Sequence, residues 1–542
     1  MSLTVGLDFG THQTKVCIED ATNPAQKIYE FFEFKNPFGK ASVLFPSIVQ
    51  INEDDTLSYG FVDEEQCKYL HSDGIAKPKL KSLQKPILKI PDEPSEPNLP
   101  TKPIIKVHSL KDRLQSLNNR LKQKVNPEIL AWEEECDRIR SKHKFDINEW
   151  RNECEILQYE YQKKVNTWEN ETRILENQFQ NNLNEWEKKV VEKCYYRYFK
   201  LATFSNSVEW NHKIDSDIIS VWYIAYILFM LQEILGEDFF VQMGIPSGTN
   251  QKILLRQKRK AFTILITAYK LVEKYRTKEN FLNEKYTSLI QSTELIKNYS
   301  ENDVLFYGLN VMPEAYAGLS SITQQKRLAT GMSLLVDIGG GTTDIAFFTI
   351  RENQPDIHSV ISFPKGLNFI FENYIRQNEH LTISEVQNIF LEKQGSKSLF
   401  NASIYQYHQQ LRNQVKSMVS EITSSFEFRK DFHHLSTSKL NAALENRPVV
   451  FCGGGAIYNS MQTSLLTFRD IKLINKNLLN IPFVRNQNIN EKLYTILATS
   501  YGLCIPLENE IVLTPIENVF NHIVAPEADK WDYKYDHGLT DL

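Results

Sequence analysis

Two stretches far apart in the chain carry the same arrangement of chemistry. Gly6-Leu7-Asp8-Phe9-Gly10-Thr11-His12-Gln13-Thr14-Lys15 ends an apolar run in an aspartate and continues into a bend of small residues. Such a bend sets a carboxylate beside a phosphate-bound magnesium ion and turns the backbone N–H groups of Gly10, Thr11 and His12 toward phosphate oxygens. In Leu334-Leu335-Val336-Asp337-Ile338-Gly339-Gly340-Gly341-Thr342-Thr343-Asp344-Ile345-Ala346 an apolar strand again ends in an aspartate, and a glycine turn, two hydroxyls and a second aspartate follow. Three glycines let the backbone approach phosphates closely, and Asp337 with Asp344 can orient metal-bound water. The first stretch alone reads as a β-hairpin with an incidental Asp-x-Gly. Two copies imply two like lobes, each pointing a phosphate loop into a shared cleft. A third turn, Gly453-Gly454-Gly455 after the buried-strand pattern Pro448 to Cys452, is placed to pass under a nucleoside.

The elements that must position these turns follow from patterning. Residues 1–90 alternate short β-branched runs with turns and read as the start of a first lobe. Seven prolines, Pro78 to Pro103, then define an extended connector, drawn as 91–105. Residues 106–205 are dense in Glu, Lys, Asn, Gln and Leu and read as a helical coiled-coil insertion. Residues 206–330 complete the first lobe, 331–505 form the second, and 506–542 are a tail. Within the insertion Trp132, Trp150, Trp168 and Trp186 recur at intervals of eighteen, as do the columns of Cys136 and of Ile139. Eighteen residues are about five helical turns, so these columns form one stripe on a nearly straight rod. The break at Asn126-Pro127 allows a shorter helix, 107–125, to fold back on the rod as a hairpin; one long helix is the alternative.

Bulk properties narrow the class. The 542 residues are too many for one core, and 42% hydrophobic with 24% charged residues is a globular composition. Sixty-two basic against 67 acidic residues give no field for holding nucleic acid or acidic lipid, so neither a nucleic-acid nor a membrane partner is expected. Seven scattered cysteines without a C-x-x-C pair indicate neither disulfides nor zinc and fit a reducing, cytoplasmic compartment. The apolar run Val221 to Leu235 is shorter than a membrane span and reads as a buried helix.

Order and spacing of these motifs resemble the superfamily of actin, sugar kinases and the seventy-kilodalton heat-shock chaperones. Phe45-Pro46-Ser47-Ile48-Val49 and Asp238 to Ser247 resemble its strands. Val311 to Gly318 and Ala498 to Gly502 resemble its two connecting helices. The fold implied is α/β, a two-lobed actin-like ATPase with duplicated ribonuclease-H-like lobes and an inserted helical hairpin. The resemblance implies ATP or ADP with Mg2+ as ligands, and Asp8, Asp337 and Asp344 near the metal. It also implies Glu314 on the water network, Thr342 at the γ-phosphate, and Gly339, Gly340, Gly341, Thr343, Gly453, Gly454 and Gly455 around phosphate and adenosine. Gly366 and the helical pair Lys416 and Ser420 would sit at the adenine. The lysine for the γ-phosphate is left between Lys79, Lys81 and Lys15. Departures are Ala315 in place of a proline and Gly455 in place of a serine.

The implied activity is slow ATP hydrolysis by in-line attack of water, with lobe closure moving the arm. The 37 residues after position 505 are too few for a peptide-binding domain. A dedicated protein partner held by the arm, and by the tail, is therefore expected, with the oligomeric state open. A filament-forming ATPase and a small-molecule kinase are the alternatives.

Overall fold

The computed structural model describes residues 3–505 other than 24, 36–38, 40, 74, 76, 81, 104–113, 115–126, 206–208, 248–250, 324–327, 329–330, 352–353, 379, 382, 394, 396–397, 425–435, 437, 439–441, 443 and 486–487. Lys81, most of the helix expected over 107–125, and the tail lie outside the described residues.

Two sheets of the same topology build the body. In the first, β1 (Leu3–Asp8), β2 (Gln13–Asp20), β3 (Ile28–Phe31), β4 (Phe240–Ile245) and β5 (Leu309–Pro313) lie in the order β5-β4-β1-β2-β3, and the short strand Phe45–Pro46 also pairs with β2. In the second, β6 (Gly331–Ile338), β7 (Thr343–Arg351), β8 (Gln354–Phe363), β9 (Pro448–Cys452) and β10 (Asp470–Leu473) lie in the order β8-β7-β6-β9-β10. β1 and β6 each run antiparallel to the next strand through a tight hairpin and parallel to a strand from much later in the chain. The central parallel strands are apolar because helices cover both faces; all five residues of β9 are buried. The expected lobe duplication is thus present strand for strand.

The helix Ser216–Leu235 is long and apolar enough to cross a membrane by composition. It is a core helix instead, with Trp222, Tyr223 and Leu228 fully buried and the Trp222 indole donating to Thr293 Oγ1 at 2.8 Å. The helices Glu314–Thr323 and Tyr494–Gly502 pack on each other between the sheets. Their crossing demands glycine at position 502, where a Cβ would lie 1.8 Å from the Ala317 carbonyl oxygen. One apolar cluster joins Cys17, Tyr29 and Phe31 of the first lobe to Leu335 and Ala346 of the second and Leu497 of the second helix.

The insertion is a separate compact unit spanning Tyr69–Val191. It therefore begins well before position 106 and includes the proline-rich stretch, while residues 192–205, read as the end of the helix, belong to the body. Its helix runs Pro127–Glu187, 61 residues, or about 90 Å. Among the described residues no second helix lies along the Trp column, so a coiled coil is not seen. The proline-rich stretch covers it as an extended strap. The four indole N–H groups donate to backbone carbonyls: Trp132 to Pro100 at 2.8 Å, Trp150 to Pro91 at 2.9 Å, Trp168 to Leu83 at 3.2 Å and Trp186 to Ile75 at 2.9 Å. Eighteen helical residues rise about 27 Å, and the eight or nine extended residues between bonded carbonyls span about 26–30 Å, so the two repeats stay in step. A chain rich in proline suits this role because it cannot use its carbonyls in a helix or central strand. Lys102 over Trp132 and Lys85 over Trp168 add cation–π contacts at 5.5 and 5.7 Å.

Candidate functional site

The hairpins β1–β2 and β6–β7 place their turns at one cleft of about 120 Å3. Register makes the two hairpins comparable residue by residue. Asp8 stands opposite Lys15 across the first, and Asp337 opposite Asp344 across the second. The first pair is a salt bridge, Lys15 Nζ to Asp8 Oδ2 at 2.8 Å. The second is two carboxylates side by side, and that one difference of charge sets the electrostatics. Burial, then Asp344 and Glu314, push the Asp337 carboxyl up to about 7. Burial also raises Asp344 and Glu314, the latter against the pull of Lys200. For Lys15 burial alone would lower the ammonium, but Asp8, Asp337 and Glu314 outweigh it and raise it.

Local structure holds the turns. Ser47 donates to the Gly10 carbonyl at 2.6 Å and meets Thr14 at 3.3 Å, fixing the first turn. In the second, the Gly339 N–H donates to the Thr342 carbonyl at 2.9 Å. The third turn approaches so closely that Gly453, at φ 82°, would put a Cβ 2.1 Å from Asp337 Oδ1. His12 bridges the lobes. Its Nε2 accepts from Asn368 Nδ2 at 3.2 Å, its ring meets Tyr198 edge-on at 4.9 Å, and it lies against Gly340. Burial, then Arg197 and Lys15, lower it to about 4, so it is neutral at pH 7 and suited to loop packing rather than to acid–base work.

Of the residues singled out from sequence, Asp8, Gly10, Thr11, His12, Lys15, Glu314, Asp337, Gly339, Gly340, Gly341, Thr342, Asp344, Gly453 and Gly454 line the cleft. Others do not. Thr343 is buried behind it, with its hydroxyl on the Lys365 carbonyl at 2.8 Å and the Tyr407 hydroxyl at 2.6 Å. Gly366 backs onto the Gly339 and Gly340 carbonyls, where the next two N–H groups pin the turn from behind. Gly455 packs on Ile338, and Lys416 and Ser420 sit on the exposed side of the helix Asn401–Ser424. Lys79 lies exposed on the strap, in the arm unit.

The second cleft lysine is one the sequence reading missed. Lys200, 5% exposed, pairs with Glu314 and stands over the Phe9 ring at 5.9 Å. It sits in the short helix Phe199–Phe204 just after the strand Tyr195–Arg197. Extending the insertion to position 205 had assigned it to the arm. The signal was present in the switch from helical spacing to the β-rich run Val190 to Arg197.

Among the described residues no three His, Cys, Asp or Glu side chains converge to ligate a metal directly. The crowded acidic oxygens fit a hydrated magnesium ion held through water and phosphate, which is how this hard cation is usually bound. A second cavity of about 420 Å3 shares Thr342, Asp344, Glu314 and Lys200 with the first and continues toward Arg256 and Gln257. The Gln257 Oε1 is buried there without a partner.

The sequence matches no protein-family model. It matches no curated protein. The structure is similar to MreB5 of Spiroplasma citri bound to ADP, at 10% identity over 92% of this chain and 95% of that one, TM-score 0.36. It is also similar to a non-polymerising MamK mutant bound to AMPPNP, at 10% identity over 93% and 98%, TM-score 0.33. For the PilM–PilN type IV pilus biogenesis complex the match is 14% identity and TM-score 0.27, and it spans 41% of this chain and just 57% of that one. Scores this low add no weight of their own. The fold is described by its duplicated strand order and by the two aspartate turns that meet at one cleft.

Proposed function

We propose that this protein binds ATP with Mg2+ between its lobes and hydrolyses it slowly, and that lobe closure moves the arm against a protein partner. One observation supports this reading above others: Asp8 and Asp337, at the ends of equivalent strands in duplicated sheets, face the same cleft with Lys15 and Lys200. The turns would hold the phosphates through backbone N–H groups, and Mg2+ would neutralise their charge. Lys15 and Lys200 would stabilise charge developing on the transferring phosphoryl group, while Glu314 and Asp337 orient the attacking water. The cleft, about 120 Å3 at the turns, borders the cavity of about 420 Å3 with which it shares Thr342, Asp344, Glu314 and Lys200. Cytoplasmic placement is proposed on the seven cysteines, all buried and none in a disulfide.

Phosphate release tests it. Mg2+-dependent release from ATP is expected, reduced about 10²-fold in Lys200→Ala and abolished in Asp8→Ala. Release unchanged in Asp8→Ala would reduce the nucleotide to a structural ligand. A second reading, phosphoryl transfer to a small molecule, is favoured by the cavity of about 420 Å3 that borders Asp344. ATP turnover in water with no added acceptor counts against it. A filament-forming use of the same site is separated by light scattering with ATP.

A further inference from the structure

His12 lines the phosphate cleft, and its two ring nitrogens are in different situations. Nε2 lies 3.2 Å from Asn368 Nδ2; an amide nitrogen only donates, so Nε2 accepts. Burial beside Arg197 and Lys15 keeps the ring neutral at pH 7. A neutral imidazole carries a single N–H, which must then be on Nδ1. That Nδ1–H is buried and has no partner. A buried donor left without an acceptor is costly, and each one in a folded protein calls for a reason.

The surroundings say which acceptor is missing. Asn368 holds Nε2, and Tyr198 meets the ring edge-on with centroids 4.9 Å apart. Gly340 closes on the Cε1 edge, where a Cβ would lie 2.5 Å from Nδ1. The ring is thus clamped between the first turn, which carries it, and the second. Both turns present backbone N–H groups, and these call for the same acceptor, an anion. Carboxylates of the chain's own that line the cleft are engaged, Asp8 with Lys15 and Glu314 with Lys200. Lys15, to which the functional reading gives the transferring phosphoryl group, is close enough for its charge to act on the imidazole.

We propose that the His12 side chain reads the terminal phosphate of ATP: Nδ1–H donates to a γ-phosphate oxygen, and ADP leaves that donor unpaired. His12 is then a specificity-determining residue for ATP over ADP through its imidazole, in addition to the backbone N–H of its turn. The neutral ring suits this work, since it gives a directed hydrogen bond without adding a charge that would grip ADP as firmly. The proposal rests on the nucleotide reading of the cleft.

Calorimetry on the full chain, with Mg2+ and either AMPPNP or ADP, tests it by affinity rather than turnover. His12→Asn and His12→Gln separate the two nitrogens, because the shorter amide places its NH2 where Nδ1 stood and the longer one where Nε2 stood. His12→Gln is expected to weaken AMPPNP by about 10-fold to 10²-fold and to leave ADP unchanged. His12→Asn should retain most of the AMPPNP affinity. Unchanged ADP binding shows that each variant is folded. Equal losses for the two nucleotides in His12→Gln overturn the proposal, as does an unaltered ratio, or a His12→Asn that discriminates no better than His12→Gln. A wild type that binds neither nucleotide removes the reading of the cleft and this proposal with it, whereas a wild type that binds both leaves only the role of His12 at stake.

Discussion

At the scale of single residues the site turns on one inversion of charge between duplicated hairpins. Lys15 neutralises Asp8, while at the equivalent position Asp344 crowds Asp337. Raised to about 7, the Asp337 carboxyl binds its proton more tightly folded than unfolded. Its contribution to stability is present below about pH 4 and is lost as the pH climbs through about 7. Asp337→Asn is therefore expected to melt higher than the wild type at pH 8.5, by on the order of 2–4 kcal/mol, with the gain shrinking toward pH 5. Thermal unfolding at the two pH values, without nucleotide, checks it; a gain that grows on acidification contradicts it. The aspartates and glycines of the turns were legible because their chemistry is written in consecutive residues. Lys200 was not, because its nearness to Glu314 depends on how the chain re-enters the body after the arm.

Among elements, two packings decide the architecture. The helices Glu314–Thr323 and Tyr494–Gly502 meet with no room for a methyl group at position 502. Gly502→Ala should destabilise the body by about 1–3 kcal/mol, read as a lower denaturant midpoint at unchanged slope. In the arm, each indole-to-carbonyl bond contributes roughly 0.5–1.5 kcal/mol. Trp150→Phe with Trp168→Phe should loosen the strap and speed tryptic cleavage after Lys89 by about 5-fold to 10²-fold, while cleavage in the body is unchanged. The tryptophan period was visible in sequence, but its partner was read as a helix because an apolar stripe on a rod usually meets another rod. The matching signal was there: a proline stands three residues after each bonded carbonyl, at Pro78, Pro86, Pro94 and Pro103. Eight or nine residues of strap against eighteen of helix becomes a match only when the rises of the two conformations are compared.

For the molecule as a whole, a body of two like lobes and an arm joined through Lys68 and Glu192 follow from one chain order. The residues that lead back from the arm, β-strand Tyr195–Arg197 and then Lys200, end in the cleft, so the covalent path from arm to phosphate site is short. Sequence by itself determined the duplicated turns, the α/β class, the buried helix at Ser216–Leu235 and the existence of a long helical insertion. Each of these is a local matter of residue type and period, fixed within a few turns of chain. Only the tertiary structure decided which lysines share the cleft, that Gly366 and Thr343 brace the second turn from behind, and that a proline strap clothes the tryptophans. Those are pairings between residues up to several hundred positions apart, and such contacts are set by packing and register, which no local pattern encodes.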